Sequence, residues 1–229
     1  MTRKMKAVVF GIDDVLYDAT YQTTNARLSA VRAMIEAGLP VDVETGYRTL
    51  EDIVKELGPD NNRHFDKLME RRGLKWNPSV VAAGVVAYRE TYPVYLKLYP
   101  DTMPTILRLR ESGFRVGCAS GGKSVKQWQK LVSLGLQHCF HAVVISEDLG
   151  LATFRKEVID QVVKMLGAES SETVYVGTNP KTEIPVANEA HVIPVRLRRG
   201  DSRSEKTTEP KPVHEIEKLS QILELVQRL

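Results

Sequence analysis

From about Tyr99 to Leu197 the chain alternates helical and strand patterns without a break, and that alternation constrains the fold more than any other feature. Apolar spacing of three and four predicts helices over 101–111, 124–134, 155–166 and 183–189, and short apolar runs predict strands over 114–119, 142–145, 174–177 and 192–197. Strands separated by helices cannot close as hairpins. They pair in parallel, with helices covering both faces of the sheet.

One more strand comes earlier, in Val8-Val9-Phe10-Gly11-Ile12-Asp13-Asp14-Val15-Leu16-Tyr17-Asp18. Between it and the alternating region lie only helical patterns. One helix covers 19–37 before Gly38, and a second covers 43–57, opened by Asp42 and closed by Gly58-Pro59. A third carries Phe65, Leu68 and Met69, and a fourth starts at Asn77-Pro78 and runs toward Tyr92. Tyr88, Tyr92, Tyr95 and Tyr99 repeat along the last of these as a packing or hinge stripe. The expected fold class is α/β: a Rossmann-like three-layer parallel-sheet core over 1–17 and 97–229, carrying a helical insertion over 18–96. A polar loop over 200–212 and an amphipathic helix over 216–229 complete the core.

Composition narrows the function classes. Across 229 residues the net charge is +3, with basic and acidic residues interleaved, which is solvated surface and not a nucleic-acid footprint. The basic cluster Arg196, Arg198, Arg199 and Arg203 falls at the end of a strand and in the loop after it and is expected on the surface rather than as a phosphate-backbone site, and Arg199-Gly200-Asp201 is expected as loop. Cys118 and Cys139 have neither metal nor disulfide spacing, and the five histidines are dispersed. No apolar run reaches the length of a membrane span. These features lead to the expectation of a soluble cytoplasmic protein that binds neither nucleic acid nor membrane.

Four short segments carry the chemistry. Phe10-Gly11-Ile12-Asp13-Asp14-Val15-Leu16 follows the first strand, and Ser120-Gly121-Gly122 ends the second. Ser146-Glu147-Asp148-Leu149-Gly150 follows the third, and Val176-Gly177-Thr178 with Glu183 follows the fourth. With the helical insertion after the first strand, this layout resembles the haloacid dehalogenase superfamily, in its phosphatase-like group with a helical cap, over nearly the whole chain. In that family an aspartate two residues before an acid/base aspartate attacks phosphorus. A strand-end hydroxyl and a lysine hold phosphoryl oxygens, and carboxylates of the first and fourth segments hold Mg²⁺.

The resemblance places Gly11 at the nucleophile, Asp13 at the acid/base position, Thr153 at the lysine, with Lys156 three residues on, and Thr178 at a metal aspartate. It implies an expectation: phosphatase activity is lost, leaving weak anion binding at Ser120, Gly121 and Lys156, or binding of a protein partner. No cofactor is then expected, and any metal would rest on Asp13 and Glu183 alone. The alternative is an active Mg²⁺-dependent hydrolase of small phosphorylated metabolites, using Asp14 or a water as nucleophile. A third reading comes from Gly117-Cys118-Ala119-Ser120-Gly121-Gly122-Lys123-Ser124, which satisfies the G-x-x-x-x-G-K-S nucleotide-loop pattern. Partner identity and oligomeric state are not encoded in any of these segments.

Overall fold

The structure, a computed structural model, describes residues 4–206 and 209–229. Met1, Thr2 and Arg3 of the basic start, and Thr207 and Thr208 of the loop expected over 200–212, lie outside the described residues. The chain divides into two compact units. One comprises the described residues up to Thr20 together with those from Lys97 to Leu229, and the other is Tyr21–Leu96.

The larger unit is a six-stranded sheet formed by β1 (Ala7–Phe10), β2 (Arg115–Ser120), β3 (Ala142–Ile145), β4 (Thr173–Gly177), β5 (Ile193–Leu197) and β6 (His214–Ile216). Their order across the sheet is β3-β2-β1-β4-β5-β6, and every pairing is parallel. β1 is central, with Phe10 opposite both Cys118 and Val176, so the segments after β1, β2 and β4 emerge side by side. All four β1 residues are buried, as a strand covered on both faces requires. Ala7 and Val9 join Ala119, Val144 and Tyr175 in one core cluster. Val158, Ile159, Val162 and Leu166 of a helix, Lys156–Leu166, pack on that cluster.

The helices of this unit are α5 (Thr102–Glu111), α6 (Ser124–Ser133), α7 (Lys156–Leu166), α8 (Glu183–Glu189) and α9 (Ile222–Arg228). One difference from the sequence pattern lies at the C-terminus, where residues 214–216 form β6 instead of opening a helix. Ile216, Leu219, Ile222 and Val226 are spaced like a helical face, but Ile216 is buried because it pairs with Leu197. A strand this short is defined by its neighbour more than by its own residues.

Arg196, in β5, and Arg199, in the loop after it, also differ from expectation, since neither side chain lies on the surface. Arg196 is 1% exposed. Its Nη2 donates to the carbonyls of Ser202 and Glu205 at 2.8 Å, and Nη1 meets Glu215 at 3.3 Å. Arg199 pairs with Asp101 and lies over the Tyr99 ring at 4.2 Å. A planar guanidinium can be carried inward when carbonyls and carboxylates are waiting for its N–H groups. The arginines thereby clamp the loop whose first turn is Asp201–Ser204.

The smaller unit holds most of α1 (Ala19–Glu36), together with α2 (Val43–Leu57), α3 (His64–Arg71) and α4 (Pro78–Val94). Asp42 caps α2 by accepting from Thr45 N, and Asn77 caps α4 by accepting from Ser79 N. Val31, Met34, Leu50, Ile53, Leu68 and Val80 form its core. Tyr88 stacks on Tyr92 with ring centroids 5.5 Å apart, and Tyr95 meets Tyr21 edge-on at 5.3 Å. Tyr88, Tyr92 and Tyr95 of the repeat pack within this unit, and Tyr99 belongs to the larger one. Among the described residues no helix is long and apolar enough to cross a membrane.

Candidate active site

The segments after β1, β2 and β4 meet at the carboxyl edge of the sheet, where a doubly wound sheet places its ligands. Gly11 continues β1, donating to Val176 O at 2.9 Å. The space a side chain there would fill is already taken: a Cβ on Gly11 would stand 2.8 Å from Glu183 Oε1 and 3.4 Å from the Tyr175 hydroxyl. Glu183 begins α8 and turns back under its own first turn. Its Oε2 accepts from Thr178 N at 2.9 Å and Asn179 N at 2.8 Å, and its Oε1 accepts from Tyr175 Oη at 3.0 Å. Burial raises its pKa despite these donors, and raises that of Tyr175 as well.

Asp13 lies open beside this filled space. It accepts from Tyr17 Oη at 2.8 Å and from Lys130 Nζ at 2.7 Å and 2.8 Å, one contact to each carboxylate oxygen. The Lys130 side chain is 14% exposed and that of Asp13 45%. Lys130 sits in the last turn of α6 and its ammonium lies 5.9 Å from the Tyr17 ring centroid. Lys130 and Tyr17 belong to no motif segment, and sequence reasoning missed both. Only the fold, which sets the last turn of α6 against the turn after β1, brings residues so far apart in the chain together.

Asp14 turns the other way. Its φ of 58° reverses the chain, Oδ1 accepts from Thr20 N at 2.9 Å and Oδ2 from Thr20 Oγ1 at 2.7 Å. It thereby fixes the start of α1, and burial raises its pKa. Both of its oxygens being so occupied, Asp14 is not presented as a nucleophile.

The second segment differs from a nucleotide loop. Gly117 to Ser120 lie within β2, and the Ser120 hydroxyl donates to Gly121 O at 3.2 Å. Gly121 packs on Phe154, and Gly122 N donates to Ser146 Oγ at 3.0 Å. Glu147 takes Lys123 Nζ at 2.7 Å and Ser124 N at 2.8 Å, and Asp148 accepts from the Ser124 hydroxyl. The chain's own carboxylates thus occupy the start of α6, where a nucleotide's phosphates would have to sit. The nucleotide-binding reading of residues 117–124 is corrected accordingly. Thr153 is exposed, and Lys156 points along α7 to Asp160 at 3.1 Å.

The residues present do not fit Mg²⁺. Positions 11 and 178 carry no carboxylate, Asp13 is held by an ammonium and a phenol, and Glu183 is held by backbone N–H groups and Tyr175. A hard divalent ion needs several free anionic or carbonyl oxygens. Among the described residues no three His, Cys, Asp or Glu side chains cluster closely enough to share one.

Comparison with known proteins adds a second line of observation. A family model described as haloacid dehalogenase-like hydrolase matches residues 5–191. A protein of Methanopyrus kandleri named glyceraldehyde 3-phosphate phosphatase is 43% identical over 98% of both chains. A protein of Methanocaldococcus jannaschii with the same name is 32% identical, again over 98% of both. Among solved structures, a phosphatase of this family from Thermococcus onnurineus superposes with a TM-score of 0.68 over 97% of this chain and 98% of that one, at 22% identity.

The phosphatase name carried by such extensive relatives overturns the expectation that activity has been lost. The altered segments remove one route, attack by a carboxylate at position 11. Phosphoryl transfer itself needs only an in-line oxygen and compensation of charge, so loss of the route is not loss of the reaction. The alternative expectation, an active hydrolase of small phosphorylated metabolites, is the better supported.

Proposed function

We propose that this chain, which belongs to the haloacid dehalogenase-like hydrolase family, is a phosphatase of small phosphorylated metabolites of the three-carbon sugar phosphate class. The observation that carries this reading is the 43% identity over 98% of both chains to a glyceraldehyde 3-phosphate phosphatase. The site supports it through Asp13, the acid/base carboxylate of the family, half exposed at the carboxyl edge of the sheet.

With Gly11 in place of a nucleophile, the attacking oxygen is that of water. The P–O bond to the leaving oxygen breaks with its electron pair on that oxygen, a P–O bond to water forms, the water loses a proton and the leaving oxygen gains one. Asp13 accepts the water's proton and passes a proton to the leaving oxygen, so that its own protonation is restored at the end of the step. The reading includes a reducing cytoplasmic setting, in keeping with the free thiols of Cys118 and Cys139.

Phosphate release from glyceraldehyde 3-phosphate and related three-carbon phosphates tests the proposal, with Asp13→Asn as the control. Turnover should fall about 100-fold in the variant. Absence of turnover in the wild type, or equal turnover in both proteins, would overturn it.

A further inference from the structure

We infer that Lys130 is the phosphate-binding cation of this site, and that it binds the phosphoryl group without a divalent metal. The inference rests on the reading above, since it names what compensates the charge of the phosphorylated substrate. A phosphate monoester arrives as a dianion and needs a cation beside it. The positions that would supply one carry Gly11, Thr153 and Thr178, so both the ammonium and the metal-holding carboxylates are missing together. Lys123 is engaged with Glu147, and Lys156 with Asp160 on its own helix.

Lys130 is placed differently. Its side chain is mostly covered, its Nζ is delivered to the turn after β1, and it spans both oxygens of a carboxylate that is itself half exposed. Two oxygens of a phosphoryl group present a slightly wider but similar pair of acceptors to the two of a carboxylate, with a larger negative charge. On binding, the ammonium exchanges Asp13 for the phosphoryl oxygens. Asp13 is then released toward the leaving oxygen, still oriented by Tyr17 Oη at 2.8 Å. A purely architectural ion pair tying α6 to β1 would leave phosphate affinity unchanged when broken.

Inorganic phosphate is the probe, titrated calorimetrically into wild type, Lys130→Met, Lys130→Arg and Lys164→Met, each in the presence of a chelator and again with Mg²⁺. Lys164 is an exposed lysine of α7 and controls for net charge. Wild type should bind equally with chelator and with Mg²⁺. Lys130→Met should bind about ten-fold more weakly or worse, and Lys130→Arg within a few-fold of wild type. Binding that requires Mg²⁺, or Lys130→Met binding like wild type, would overturn the inference. So would a wild type that does not bind phosphate at all.

The chelator comparison needs no variant, so a Lys130→Met protein that failed to fold would still leave the metal question decided. Its folding is checked by circular dichroism. Phosphate binding through Lys130 without sugar-phosphate turnover would defeat the proposed function and leave this inference standing. Turnover accompanied by strictly Mg²⁺-dependent phosphate binding would do the reverse.

Discussion

Gly200 presses its backbone against the carboxylate of Asp14 so closely that a Cβ there would fall 2.1 Å from Asp14 Cγ. The loop clamped by Arg196 thereby reaches the acidic turn after β1, and Asp201 N adds a hydrogen bond to Thr20 Oγ1 at 2.8 Å. Gly200 also adopts φ 62°, ψ −153°, a region that essentially only glycine occupies. Gly200→Ala should therefore cost about 3 kcal/mol or more, combining backbone strain with the clash. Urea unfolding of Gly200→Ala and of Gly200→Ala with Asp14→Ala separates the two parts. The second substitution should relieve the clash and leave the backbone cost in place.

Arg196 offers a test of arginine against lysine. Replacing it by methionine keeps the apolar stem but leaves the Ser202 and Glu205 carbonyls without their donor. The expected loss is about 3 kcal/mol, read from the denaturation midpoint. Arg196→Lys should recover only part of it, because one ammonium cannot reproduce the planar fork that meets both carbonyls and Glu215.

Glu183 makes stability depend on pH. Unfolded, it ionises in the ordinary glutamate range, near about 4.3; folded, burial moves its ionisation to higher pH. Between the two values the unfolded state binds fewer protons, so stability falls as pH rises through that window and stays lower above it. Asp14, also raised by burial, acts in the same direction. Glu183→Gln removes one of these two groups, so the variant should gain stability relative to wild type as pH rises from about 4 upward. A wild-type minus variant difference that stays flat across a pH series of urea unfolding curves would contradict this account.

A fourth expectation concerns crowding at Gly11. Its backbone is conventional, so alanine is disfavoured there only by its neighbours, and the nearest, Glu183 Oε1, is pinned by Tyr175 while its partner oxygen is pinned by Thr178 N and Asn179 N. Gly11→Ala should destabilise by about 1 to 3 kcal/mol. In a Glu183→Asp background, where the carboxylate is one methylene shorter, the cost should shrink. A coupling below about 0.5 kcal/mol in the double-mutant cycle would mean that the two positions do not compete for the same space.

The parts of the fold that local pattern controls were legible in the sequence. Asp42 and Asn77 sit at helix starts in both readings, and the bounds of α2, β3 and α8 follow directly from their apolar spacing and flanking residues. The misses share a cause. β6 exists because Ile216 finds Leu197, Arg196 is buried because two carbonyls receive it, and Lys130 meets Asp13 only because the fold sets the last turn of α6 against the turn after β1. Each depends on a partner distant in the chain, which neither propensity nor spacing reports. The altered motif segments were legible too, but residues at such positions record a route for phosphoryl transfer, and a reaction can outlive one of its routes.

The mutual exclusion between a side chain at position 11 and the extended carboxylate of Glu183 couples the two positions to one another. An aspartate placed at position 11 would enter occupied space, and its cost would be felt at once in stability. Room opens only if position 183 shortens, a change that by itself withdraws acceptors from Thr178 N, Asn179 N and Tyr175. Each single step is penalised before the pair is complete. Packing therefore locks the two positions together: either substitution made alone is costlier than both made as a pair.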